Sequence, residues 1–189
     1  MPLTARFEDA LLTASRLHAT QIRKGSGVPY IAHLLAVSAL VLENGGDEDT
    51  AIAALLHDAV EDQGGTATRE AIRAQFGERV AAIVDGCTDA DVLPKPPWRA
   101  RKEAYIAHLA TAPRAVRLVS SADKLHNARS ILADYRVLGD TLWERFTGGK
   151  AGTLWYYRAL TTAYQAVEGT PLVAELDRVV SELEQLTAR

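Results

Sequence analysis

The chain contains one cysteine, Cys87, has no long apolar run, and carries a net charge of only −3 over 189 residues. A single cysteine excludes an internal disulfide and fits a reducing compartment. No apolar stretch approaches the roughly 18 residues of a membrane-spanning helix. The small net charge gives no general pull towards nucleic acid or anionic lipid, so any charge that binds a nucleotide must be local. The leading MPLTARFEDALL has acidic residues where a signal peptide would be apolar. These features lead us to expect a cytoplasmic protein with neither a nucleic-acid nor a membrane partner. Alternating strand patterns, repeats and low-complexity tracts are missing as well.

Helical periodicity is what the sequence does contain. Phe7, Leu11, Ala14, Leu17 and His18 recur at three-to-four-residue spacing and predict a first helix running to about Arg23. KGSGVP then breaks it. Ile31, Leu34, Leu35 and Val41 mark a second helix that stops at Asn44-Gly45-Gly46. Asp47 is placed to cap a third, DEDTAIAALLHDAV, and Thr66 a fourth ending at Phe76-Gly77. ERVAAIVDGC reads as a short helix, and the three prolines of TDADVLPKPPW as a loop. Three more helical stretches follow: ARKEAYIAHLA, PRAVRLVSSADKLHNARSILADY and GTLWYYRALTTAYQAV. The last helix, about 171–187, has Thr170 as cap and Pro171 at its first position. The expectation is one all-α domain over residues 1–189, with about eight to ten helices.

LLHDAVED does not fit a packing explanation. His57, Asp58, Glu61 and Asp62 crowd together behind an apolar face. On a continuous helix His57 would share a face with Glu61, and Asp58 with Asp62. Three acids around one histidine repel one another unless a cation joins them. HD alone is more often a solvated helix end, but two further residues change the weighing. His33 lies in PYIAH behind a loop, and Asp123 lies in SSADKLHN behind the apolar VRLV. The order H…HD…D supplies four ligands suited to Mn²⁺, Fe²⁺, Co²⁺ or Zn²⁺, with room for water.

With QIRKGSGVPYIAH, LLHDAVED, FGERVAAIVDGCTD and SADKLHNARS in order, the sequence resembles HD-domain metal phosphohydrolases. Within that group it is similar to the hydrolase domain of the RelA/SpoT alarmone enzymes, and especially to free-standing small alarmone hydrolases. The resemblance covers about residues 7–165. It implies an all-helical fold and one Mn²⁺ held by His33, His57, Asp58 and Asp123. It also implies that Glu61 and Asp62 serve hydrolysis, a role their spacing allows, because a carboxylate one turn beyond the ligands can orient and deprotonate water. Arg23 and Lys24 match a pair at the pocket mouth, where an Arg plane can stack on a purine and Lys can meet phosphate. Asn127 and Ser130 share a helix face with Asp123 and match nucleotide-contacting positions; Lys124 is a further candidate for phosphate.

The implied reaction removes the 3′-diphosphate of ppGpp or pppGpp, giving GDP or GTP and pyrophosphate. A second reading uses the same machinery on another nucleotide, such as the 2′-phosphate of NADPH. The unusual Pro-Pro-Trp of residues 96–98 could reshape the pocket rim to that end. A third reading, a non-catalytic nucleotide-binding module, suits the sequence poorly because all four ligands and the Glu-Asp pair are retained. The C-terminal helix could cap the core or serve a homodimer. His18 and His108 have no partner motif and read as core or surface, and His126 reads as a buried structural histidine. TGGKAGT has the wrong glycine spacing for a phosphate loop. Trp155 and Tyr156 are expected in helix core.

Overall fold

A computed structural model describes residues 2–89, 94 and 96–188. Most of the proline-rich loop, Ala90–Leu93 and Lys95, therefore lies outside the described residues. As expected, the fold is all-α: ten α-helices and one 3-10 segment among the described residues. Two compact units are present, Met1–Lys95 with Pro113–Ala122, and Pro96–Ala112 with Asp123–Arg189. None of the described helices is long and apolar enough to cross a membrane.

The first unit holds α1 (Ala5–Leu17), α2 (Ile31–Glu43), α3 (Glu48–Leu56), α4 (Ala59–Asp62), α5 (Gly65–Phe76) and α6 (Glu78–Cys87). Every residue from Thr50 to Leu56 is buried, so α3 is the core helix, apolar on all sides. It packs against α1, α2 and α6. Its alanines Ala51, Ala53 and Ala54 let those neighbours approach, and Asp47 caps it by accepting from the Thr50 amide at 3.0 Å.

Three expected boundaries shift. The first helix ends at Leu17 instead of about Arg23, because Ile22 leaves it to pair with Pro29. That pairing closes a turn in which Gly25 and Gly27 both take positive φ, +83° and +70°. Thr66 does not cap α5, which starts one residue earlier behind Gly64. DEDTAIAALLHDAV is not one helix: α3 stops at Leu56, and His57-Asp58 forms the turn before the short α4.

The second unit contains α7 (Trp98–Leu109), most of α8 (Arg114–Leu138), the 3-10 segment Gly139–Arg145, α9 (Gly149–Val167) and α10 (Pro171–Thr187). Amphipathic α10 lays Leu172, Val173, Leu176, Val180 and Leu183 inward and packs on α9. Arg158 of α9 adds hydrogen bonds to Asp177, Ser181 and Glu184. Two glycines of TGGKAGT, Gly148 and Gly152, have a packing role: a Cβ on them would meet the Trp98 indole at 2.7 and 3.2 Å.

Candidate metal centre

His33, on the first turn of α2, is wholly buried, and His57 is 3% exposed at the end of the apolar α3. Asp58 follows in the turn. Burying one imidazole at the start of α2 and the other at the end of α3 fixes their rings; these lie edge-on, with centroids 5.3 Å apart. One ligand atom from each of His33, His57 and Asp58 falls within 4.8 Å of the other two. Asp58 Oδ2 lies 3.1 Å from His57 Nε2 and 3.6 Å from His33 Nε2.

The donor chemistry fits a divalent ion. His57 Nδ1 is 2.8 Å from the Ala54 carbonyl, which can only accept, so Nδ1 carries the proton. In a neutral imidazole Nε2 then presents its lone pair to the Asp58 carboxylate. Two lone pairs at 3.1 Å repel and require positive charge between them, which a second proton or a metal ion supplies. The backbone bond at Nδ1 is the usual way a ligating histidine has its tautomer set. Among the described residues this cluster is able to hold a divalent metal.

The break at His57-Asp58 changes how the Glu-Asp pair is presented. Two parallel stripes on one continuous helix do not occur; Glu61 and Asp62 belong to the separate α4, tied back by the Asp62 amide to the Asp58 carbonyl at 2.9 Å. Glu61 is half-buried. Asp62 is more exposed as a residue, yet partial desolvation of its carboxyl raises its pKa above the ordinary aspartate value. Repulsion from Asp58 and Glu61 adds to this, while a hydrogen bond from Gln21 opposes it.

Tyr30 and Gln21, which no sequence motif singled out, lie near the cluster, and His18 is buried beside them as a core residue. Tyr30 donates its hydroxyl to Asp58 Oδ2 at 2.6 Å and stands edge-on to His33. Its other neighbour is His18, stacked at 5.3 Å and only 2% exposed. Gln21 bonds both His18 and Asp62. The signal available was QIRKGSGVPYIAH itself, in which Gln21 and Tyr30 flank the turn. Arg23 is half-buried and Lys24 exposed, both in that turn, whose ends are joined by the Arg23 amide to the Val28 carbonyl at 2.8 Å.

In the second unit, buried Asp123 accepts from Lys124 Nζ at 2.6 Å and from Asn127 Nδ2 at 2.5 Å. Burial disfavours the Lys124 charge, but Asp123 and the nearby Tyr156, Tyr105 and Tyr164 oxygens outweigh it and raise its pKa well above the usual lysine value. Ser130 Oγ donates to the His126 carbonyl, and His126 is half-buried, outside the core expected for it. His108 is exposed. Tyr156 is buried as expected, whereas Trp155 is half-exposed beneath the Arg99 guanidinium, which stacks 3.2 Å from its ring centre.

Comparison with known proteins identifies the family. A profile of the HD domain matches residues 10–145. Over 124 residues the chain is 43% identical to a probable GTP pyrophosphokinase of Mycobacterium leprae, covering 65% of this chain and 15% of that protein. It is 40% identical over 121 residues to the guanosine-3′,5′-bis(diphosphate) 3′-pyrophosphohydrolase MESH1 of Xenopus tropicalis, covering 62% of this chain and 65% of the relative. The matches thus span less than two thirds of these relatives. A solved structure of a metazoan SpoT orthologue that hydrolyses ppGpp is similar with a TM-score of 0.80 and 26% identity, over 96% of this chain and 97% of that one. The chain belongs to the HD-domain family, and within it is related to the RelA/SpoT enzymes and the MESH1-like small alarmone hydrolases.

Proposed function

We propose that the protein is a Mn²⁺-dependent phosphohydrolase that removes the 3′-diphosphate of guanosine alarmones. The observation that carries this is the His33–His57–Asp58 cluster, its two histidines buried, with an acidic pair one turn further on, in a chain whose relatives act on such nucleotides. The H…HD…D order nominates Asp123 as a fourth ligand. A divalent ion held there supplies Lewis acidity and a water of lowered pKa.

In the reaction, water adds to the phosphorus bonded to O3′ and the P–O3′ bond breaks. O3′ leaves as the ribose hydroxyl, and the water oxygen departs within pyrophosphate. One water is consumed, and GDP or GTP remains. Glu61 and Asp62 orient the attacking water, and one of the pair takes its proton. Arg23 stacks on the purine and Lys24 and Lys124 meet phosphate, with Asn127 and Ser130 contacting the nucleotide. For the last two, substrate would compete with the bonds they now make to Asp123 and to the His126 carbonyl.

The experiment is product analysis of ppGpp incubated with Mn²⁺ and either the wild type, Asp58→Ala or Asp123→Ala. The reading expects GDP and pyrophosphate from the wild type, and loss of tight metal binding and of turnover in both variants. Full turnover by either variant contradicts the ligand set.

A further inference from the structure

Asp58 and Asp62 belong to different elements, yet both are held by the segment between α1 and α2. Asp58 Oδ2 receives the Tyr30 hydroxyl at 2.6 Å, a short charge-assisted bond. It uses one lone pair of that oxygen and leaves another facing the two imidazoles. The Tyr30 ring is held between His18, stacked with only 19° between planes, and the edge of His33. Tyr30 has little freedom to turn.

Gln21 is fixed as firmly. Its Oε1 lies 2.6 Å from His18 Nδ1 and 2.6 Å from Gln63 Nε2. Two donors on one amide oxygen leave the amide nitrogen a single direction, towards Asp62 Oδ2 at 2.8 Å. His18, buried and shared by Gln21 and Tyr30, joins the two halves. The Tyr30 amide closes the loop by donating to the Gln21 carbonyl at 2.9 Å. One small network thus reaches both the metal ligand and the acid one turn beyond it.

We propose that Tyr30 and Gln21, tied together through His18, are positioning residues: Tyr30 sets Asp58 for the metal, and Gln21 sets Asp62 for the water. The Gln21 half rests on the hydrolase reading above; the Tyr30 half does not, because it concerns metal binding alone.

Tyr30→Phe removes one oxygen and keeps both ring contacts. Competition with a chelating dye should show Mn²⁺ binding weakened about 10–100-fold, with the metal-free melting temperature little changed. Unchanged Mn²⁺ affinity would overturn the role of Tyr30. Gln21→Leu keeps the bulk and removes both polar atoms. Its Mn²⁺ affinity should match the wild type while kcat on ppGpp falls about 10–100-fold at similar KM. In an Asp62→Asn background the same change should cost nothing more, because Gln21 then has no catalytic carboxylate to set. Multiplying effects in the double variant would overturn the role of Gln21. Wild-type turnover of ppGpp, measured alongside, reports on the substrate separately.

Discussion

Glu61 and Asp62 sit side by side on one short helix turn. Partial desolvation and repulsion from Asp58 and Glu61 make ionised Asp62 costly to the folded protein without metal. A carboxyl whose folded pKa is raised stabilises the fold below its unfolded pKa and loses that contribution as pH climbs through the folded value. At neutral pH, Asp62→Asn should therefore raise the melting temperature of the metal-free protein while lowering turnover. A lower melting temperature would show that the Gln21 bond dominates instead. Glu61→Gln keeps shape but cannot take a proton; it should retain Mn²⁺ and lose about 10²–10⁴-fold in kcat, read by metal analysis and steady-state rates on the same sample. The cluster of His33, His57 and Asp58 was legible in the sequence because PYIAH and LLHDAVED carry unusual residues for helix ends. The links of Tyr30 to Asp58 and of Gln21 to Asp62 were not, because bonds spanning 28 and 41 positions leave no periodic trace.

At the scale of elements, caps and breakers were read correctly where their chemistry is local. Asp47 and Thr170 cap α3 and α10 as expected. Asp47 also meets Arg79, and together with the Thr50 bonds this outweighs burial and lowers its pKa from 3.8 to about 2. Asp47→Ala should cost about 1 kcal/mol in a urea melt at pH 7. The ionic part of that difference is present above pH 3.8 and should fade as pH falls towards 2, the window of the lowered pKa. Gly148→Ala should cost about 1–3 kcal/mol, because its new Cβ would press on the Trp98 ring. The boundaries that moved did so for tertiary reasons. Helical spacing around His18 continues past Leu17, but the backbone at Ile22 pairs with Pro29 instead. The HD turn is similar: periodicity cannot show that two ligands need a break to converge on a third.

For the whole molecule, the helical content of the described residues followed from periodicity alone, whereas the complete burial of α3 emerged only from the fold. The division into two compact units left no composition shift to read, since α8 runs from one set of residues into the other as a single helix. The substrate was the least legible property, because HD machinery fixes a metal and a water and says little of what the water attacks. The most direct measurement is a comparison of initial rates on ppGpp, pppGpp and NADPH, with Mn²⁺ and after its removal by chelation. The account expects the guanosine alarmones to have the highest kcat/KM, pyrophosphate to be released, and all activity to vanish without metal. Faster release of phosphate from NADPH, or alarmone hydrolysis that survives chelation, would contradict it.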